Sequence, residues 1–164
     1  MSDKTTSKIQ RIEGRLHLVR HVTDEEGNPI ATVSEPLKVE FRFEDLVQLI
    51  AGALVMGLPV AMAEETWDLG AELSMGRTLT ILALSWCTLA GFIWTLFYGK
   101  RITEYRHQFI KRTVAAYVVT FVVSFLLLFL FDKAPLDDLR LTVTRKILVA
   151  FPASFAATAV DFMK

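Results

Sequence analysis

The side chains best suited to chemistry in this sequence are acids at the end of a long apolar run. Glu64 and Glu65 directly follow residues 46–63, in which Gln48 is the only polar side chain, and Asp68 lies three residues further on. An α-helix of about 20 apolar residues crosses the hydrocarbon of a bilayer. A carboxylate at the hydrocarbon boundary is costly unless it is hydrated, paired or lines a cavity. These three acids are therefore candidate ion-binding groups.

Small residues line one face of the same apolar run. Ala53, Gly57 and Ala61 recur at every fourth position, and we call them the small-residue stripe. Pro59 interrupts the run and leaves one backbone carbonyl without its usual donor. Such a stripe predicts either a conduction path or close helix packing. If several copies meet along this helix, the three acids form an outer ring that selects cations; in the alternative, the acids are simply solvated.

A second set of candidates lies in the last apolar segment. Pro152 and Ser154 fall within this segment, and Asp161 lies near its end. Proline and small residues here predict either a kinked inner gate or a packing interface. We expect Asp161 to form an ion pair with a Lys or Arg of the basic link before the third span, which includes Arg112.

The sequence has no pattern typical of an enzyme or a metal protein. Cys87 is the only cysteine, and His17, His21 and His107 are not spaced with carboxylates as metal ligands are. We therefore expect no catalytic residue, no metal and no cofactor. The formal net charge is zero, which gives no reason to expect nucleic acid as a partner.

Membrane-spanning helices are needed to position the candidate residues. The 164 residues are 52% hydrophobic, and the apolar residues are grouped in blocks separated by charges. Blocks of this length predict an all-α membrane protein with about four transmembrane helices. The predicted spans are about 46–66, 79–98, 114–131 and 143–163, within a helical domain over 44–164. Glu44 or Asp45 is expected to cap the first helix.

The N-terminal region, residues 1–43, has the pattern of a β-hairpin. Apolar and charged residues alternate over 37–43, and alternation is also present in the run 9–22. Turn-forming residues at 24–29 separate the predicted strands 9–22 and 30–43. Because a lone hairpin is marginally stable, its apolar face needs a cover, which the helix ends or the hairpins of neighbouring subunits could provide. We favour the second, which predicts a homo-oligomer.

The distribution of Lys and Arg predicts the orientation in the membrane. Seven precede residue 43 and five lie between the second and third spans, whereas the first link has only Arg77. The third link and the start of the fourth span add Lys133, Arg140, Arg145 and Lys146, which weakens the contrast without reversing it. Positive residues are enriched in cytoplasmic loops. We therefore expect the hairpin and both termini in the cytoplasm of a prokaryotic cell, the helices in its plasma membrane, and the three acids outside.

Short motifs stand out in two stretches of the predicted helical domain. The first stretch carries GAL at 52–54, GLP at 57–59 and ETWDLG at 65–70. The second carries APL at 134–136, RK at 145–146 and FPAS at 151–154, with two alanines at 156–157. These stretches resemble the beginning and the end of a family of prokaryotic integral membrane proteins that has no assigned activity. The resemblance implies a membrane topology and no reaction.

Together these features predict a homo-oligomeric ion channel that conducts cations. The small-residue stripe and Pro59 would line its pore, and the three acids would form its outer ring. Its partners would be further copies of itself, the lipid bilayer and the permeating cation. Two alternatives remain open: a non-conducting membrane scaffold or sensor whose cytoplasmic hairpin binds a partner, and a small ion-coupled carrier.

Overall fold

A computed structural model of the protein describes residues 5–12, 15–23, 29–36, 41–98 and 105–163. The chain divides into two units, residues 1–40 and residues 41–164. Among the described residues, the strands belong to the first unit and the helices to the second.

The first unit contains a three-stranded antiparallel sheet in the order β1-β2-β3. The strands are β1 (Thr5–Ile12), β2 (Arg15–Thr23) and β3 (Pro29–Pro36). β2 and β3 form the hairpin that the turn-forming residues predict, with a register irregularity between Val22 and Thr23. Val19, in the middle of β2, is buried.

The predicted bounds of both hairpin strands are wrong. The run 9–22 contains parts of two strands, β1 and β2, which pair antiparallel. The alternation of apolar and polar residues did not reveal the change of chain direction, because alternation is a property of each strand and both strands have it. The second predicted strand ends at Pro36, and residues 37–40 lie outside the described part of the chain.

The predicted strand also overlaps the start of the first helix, at Phe43. The Asp45 carboxylate accepts the backbone N–H of Arg42 at 2.7 Å and so satisfies a donor at the helix N-terminus. Because this contact favours the helix, residues 41–43 are not part of a strand although their apolar–charged alternation is that of one.

The second unit is helical. Its helices are α1 (Phe43–Met62), α2 (Glu64–Glu72), α3 (Met75–Ile93), α4 (Arg106–Leu130) and α5 (Leu139–Phe162), and a π-helical turn, Trp94–Tyr98, extends α3. By length and composition, α1, α3 with its π-helical turn, α4 and α5 can each cross a membrane. This confirms the predicted class, an all-α membrane protein with four long apolar helices.

The first span is shorter than expected, because α1 ends at Met62 and not near residue 66. Ala63 has an extended backbone, with φ −74° and ψ 125°, and α2 begins at Glu64. The indole N–H of Trp67 donates to the carbonyl of Ala61 at 2.8 Å. This bond supplies a donor to one of the last carbonyls of α1, which have no helical partner.

α5 is the central helix, since it contacts α1, α2, α3 and α4. The closest approach is to α1, where a Cβ built on Gly52 would lie 2.6 Å from the Cα of Ala157. A Cβ built on Gly57 would lie 3.3 Å from Leu127 and 3.6 Å from Ala153. Small residues thus bring α1 close to α4 and α5 within one subunit.

α4 ends in a reversal that allows α5 to return across the bundle. Asp132 has a positive φ of 57°. The Lys133 N–H donates to the Leu128 carbonyl at 2.8 Å, and the Asp132 N–H donates to the Phe129 carbonyl at 3.1 Å. These bonds form a Schellman motif, with aspartate at the position that glycine usually occupies.

Candidate functional site

Three buried charged side chains meet at the end of the bundle where α1 and α4 begin and α5 ends. Asp45 lies in the first turn of α1, Arg112 in the second turn of α4 and Asp161 in the last turn of α5. Arg112 Nη1 lies 2.7 Å from Asp161 Oδ2, and Arg112 Nη2 lies 3.5 Å from Asp45 Oδ2. Each of the three residues is at most 5% exposed. We call them the Arg112 cluster, and this end of the bundle the Arg112 end.

Local structure positions both carboxylates. Asp45 Oδ2 accepts the N–H of Arg42 and also faces the guanidinium, so the start of α1 fixes this carboxylate. Asp161 continues the buried face formed by Ser154, Ala157 and Thr158, at the spacing of one side of a helix. The regular winding of α5 therefore directs Asp161 into the bundle.

Aromatic side chains surround the guanidinium. Arg112 Cζ lies 3.9 Å from the centroid of the Phe97 ring and 5.6 Å from that of Phe41, which are cation–π distances. The side chain of Tyr98, which is 4% exposed, hydrogen-bonds to Arg112. Phe97 and Tyr98 both belong to the π-helical turn, an irregularity that is often found at functional sites.

The Arg112 cluster has one more carboxylate than it has guanidinium groups. With all three side chains ionised, its formal charge is −1. This is the charge of the three groups taken by themselves, and each of them also has a further hydrogen bond, ring contact or electrostatic interaction. Burial of charge is costly, and such contacts offset part of that cost.

Buried hydroxyl groups extend from the Arg112 end along α4 and α5, which pack against each other. They belong to Thr120, Ser124, Ser154 and Thr158, each at most 1% exposed, and we call them the polar seam. Three of them donate to carbonyls of their own helix. Among the described residues, Ser124 Oγ has no hydrogen-bond partner. The seam therefore places polar atoms in the interior of the bundle, between α4 and α5.

At the opposite end of the bundle, arginines bind backbone carbonyls. Arg145 donates to the carbonyl of Trp67 at 3.2 and 3.3 Å and to that of Lys133 at 3.1 Å. Arg140 donates to two carbonyls near the end of α2, each at 3.2 Å. We call this the Arg145 end. Its guanidinium groups join α2 and the α4–α5 link to α5.

The acids of the predicted outer ring lie at the Arg145 end. Glu64, Glu65 and Asp68 are all exposed on α2. Because Asp45 is at the other end of α1, none of them joins the Arg112 cluster. A ring of these acids depends on contacts between copies of the chain and stays a prediction.

The small-residue stripe is buried inside the subunit. Ala53 and Ala61 are 0% exposed, and Gly57 faces α4 and α5, so the stripe packs helices in this structure. Pro59 is exposed. To line a pore, the stripe would first have to separate from the helices against which it packs.

The predicted inner-gate residues lie within α5. Ser154 is buried and donates to the carbonyl of Phe151 at 2.7 Å, while Pro152 is half-buried inside the helix. Asp161 pairs with Arg112, a residue of the basic link, as expected. The gating role of these residues stays a prediction.

Sequence reasoning missed the Arg112 cluster as a site because it treated Asp45 as a helix cap and Arg112 as a charge of a basic link. The sequence did contain a signal for this cluster, since Asp45, Arg112 and Asp161 all border apolar segments. Successive spans alternate in direction, which puts the start of the first, the start of the third and the end of the fourth on one side of the membrane.

Comparison with known proteins agrees with this architecture. The family model described as "Putative integral membrane protein (DUF2391)" matches residues 14–162, most of the chain. This match confirms the resemblance found at both ends of the helical domain. A search of curated proteins and a search of solved structures each gave no match.

Proposed function

Because the chain belongs to this family of integral membrane proteins, we propose that it transports a monovalent cation across the membrane, with the Arg112 cluster as the binding site. The observation that carries this proposal is the burial of two carboxylates around one guanidinium inside a bundle of membrane-spanning length. Ionisable groups inside membrane bundles are expensive and are generally found where ions or protons move.

The two carboxylates are held differently, which suggests separate roles. Asp161 is close to the guanidinium, at 2.7 Å, whereas Asp45 is further away, at 3.5 Å, and is also fixed by a backbone N–H. A cation entering the cluster would compete with Arg112 for Asp45 first, since this ion pair is the longer one. Asp161 would then keep the guanidinium within the cluster.

The polar seam provides a route for the cation beyond the cluster. Ser124 Oγ has no partner within the described chain, and the other three hydroxyl oxygens keep acceptor capacity while they donate within their helices. Oxygen atoms of this kind replace part of a cation's hydration shell. In the orientation with both termini in the cytoplasm, the Arg112 end faces the cytoplasm of a prokaryotic cell.

Flux measurements on purified protein in phosphatidylcholine vesicles test the proposal. We expect Asp45→Asn to lower the flux of the transported cation about ten- to hundredfold at subsaturating concentration, since a contact to a charged group contributes about 1.5–3 kcal/mol. Asp137→Asn, at an exposed position, is the matched control and should leave the flux unchanged. An Asp45→Asn protein with undiminished flux would rule out the cluster as the binding site.

A homo-oligomeric cation channel is the second candidate. Glu64, Glu65 and Asp68 are all exposed at the Arg145 end, where they are available to form a ring between copies. α1 also exposes large apolar side chains, among them Val55 at 70% and Met62 at 55%, which another copy could cover. Because the small-residue stripe is buried, such a pore would use the exposed face of α1 instead.

One double variant separates the two candidates. Glu64→Gln combined with Glu65→Gln should reduce cation flux and selectivity in the channel, and should leave both unchanged in the transporter. Absence of flux of protons, sodium and potassium under imposed gradients would reject both candidates. The scaffold or sensor would then be the remaining function, with the N-terminal sheet as its partner-binding surface.

A further inference from the structure

An apolar groove runs between α3 and α4 and is independent of the Arg112 cluster. α3 contributes Leu79, Trp86 and Cys87 to its lining, α4 contributes Tyr117 and Phe121, and its volume is about 460 Å³. A second depression of about 250 Å³ shares Trp86, Tyr117 and Phe121 and extends the groove along α4. The exposed side chains on the α3 side leave the groove open at the surface of the bundle.

The walls of the groove are fixed by contacts between α3 and α4. Ser85 and Tyr117 are joined by a short hydrogen bond between their hydroxyl groups. The Trp86 and Tyr117 rings lie 4.5 Å apart, centroid to centroid, and Tyr117 also contacts Phe121 at 5.1 Å. These contacts hold the two helices together while leaving an aromatic surface toward the bilayer.

The ammonium group of Lys146 borders this aromatic surface. Lys146 Nζ lies 4.9 Å from the centroid of the Phe121 ring and 5.8 Å from that of Phe125. In the described part of the chain, Lys146 has no ion pair with a carboxylate. It is the eighth residue of α5, so it lies about 10 Å along a helix of about 36 Å. Because the hydrocarbon is about 30 Å thick, most of α5 lies within it, and the ammonium of Lys146 lies below the membrane surface.

The depth of the groove matches that of the ammonium. Leu79 lies about 6 Å and Cys87 about 18 Å from the start of α3, which is also at the Arg145 end. Phe121 lies about 13 Å from the end of α4. Lys146 is therefore near the shallow part of the groove, and the apolar part continues toward the middle of the bilayer. Lys146 thus places a positive charge nearer to the membrane surface, and the groove continues from it as an apolar surface within the same leaflet. This arrangement is complementary to the head group and acyl chain of an anionic lipid.

We infer that the groove binds one anionic phospholipid, with its phosphate at Lys146 and one acyl chain along Trp86, Cys87 and Tyr117. The half-buried ammonium of Lys146 is costly in hydrocarbon, and a phosphate oxygen supplies the anionic partner that the surrounding rings do not. The inference is independent of ion transport, because none of the residues that line the groove belongs to the Arg112 cluster.

Quenching of Trp86 by brominated lipids measures occupancy of the groove. The protein is reconstituted in phosphatidylcholine with small fractions of brominated phosphatidylglycerol or brominated phosphatidylcholine, and the contribution of Trp86 is taken as the difference from Trp86→Phe. We expect phosphatidylglycerol to be preferred about fivefold, which corresponds to about 1 kcal/mol for one basic residue.

Variants of the ammonium identify its role. Lys146→Gln should abolish the preference, Lys146→Arg should retain it, and Lys111→Gln, at an exposed position near the Arg112 end, should not change it. Equal quenching by both lipids, or a preference that survives Lys146→Gln, would overturn the inference. Protection of Trp86 from both lipids, together with efficient Cys87–Cys87 cross-linking, would also overturn it and identify the groove as a contact between copies.

Discussion

Gly52→Ala is expected to destabilise the protein, because no space exists for one methyl group between α1 and α5. The new Cβ would lie 2.6 Å from the Cα of Ala157 and 2.7 Å from the carbonyl oxygen of Ala156. Non-bonded heavy atoms prefer separations of about 3.5–4.0 Å. Since both neighbours are backbone atoms, no side-chain rotation relieves the overlap, and α1 must move about 1 Å away from α5.

The size of the effect follows from two opposing terms. Overfilling a packed core costs about 1–3 kcal/mol, whereas replacing glycine by alanine inside a helix contributes up to about 1 kcal/mol of stabilisation. We therefore expect Gly52→Ala to lower the free energy of unfolding by about 1–2 kcal/mol. Gly91→Ala is the matched control, since Gly91 lies inside α3 and a Cβ there meets nothing within 4 Å. The control should be as stable as the natural protein or slightly more stable.

Reversible unfolding by dodecyl sulfate in mixed micelles, followed by circular dichroism, measures both variants. The expected result is a lower unfolding midpoint for Gly52→Ala and an unchanged or higher midpoint for Gly91→Ala. Equal stability of the two variants would refute the close α1–α5 contact, because the same chemical change would then have the same effect in open and closed surroundings.

The same unfolding assay tests three further contacts. Arg112→Met should lower stability by about 3–5 kcal/mol, because it leaves two carboxylates buried without their guanidinium; a near-natural midpoint would contradict the burial of the cluster. Trp67→Phe should cost about 1 kcal/mol through loss of the bond to the Ala61 carbonyl, and this is contradicted if the variant unfolds like the natural protein. A double-mutant cycle of Ser85→Ala and Tyr117→Phe should give a coupling of about 1 kcal/mol, whereas a coupling of zero would mean that the bond between their hydroxyl groups contributes nothing.

The membrane helices were predictable because hydrocarbon imposes a minimum apolar length. The apolar segments of the sequence located all four spans, but they underestimated the length of the helices that have polar residues at their ends. α4 begins at Arg106, whereas the third span was predicted from about residue 114. The helix continues beyond the apolar segment because its backbone hydrogen bonds also form outside the hydrocarbon, where water solvates its polar side chains. An apolar segment therefore indicates the part of a helix that lies in the hydrocarbon, and not the full length of the helix.

The lateral arrangement of the helices could not be predicted in the same way. The repeat of Ala53, Gly57 and Ala61 was compatible with a conduction path or with close packing, and the packing partner could equally be another copy or the subunit's own α5. The choice depends on matching small residues in α5, such as Ala153 and Ala157, and these are common in membrane helices. Asp45 and Asp161 are far apart in sequence, so their meeting at Arg112 follows from topology alone.

The central position of α5 bears on how the protein is made. α5 follows α1, α3 and α4 in the chain, so a ribosome delivers three spans before their common neighbour exists. Until then, the glycine-containing surface of α1 has no α5 to receive it, and Arg112 lacks Asp161. A nascent chain arrested before residue 139 would therefore be inserted but unassembled, and we expect membrane quality-control proteases to remove it faster than the finished protein.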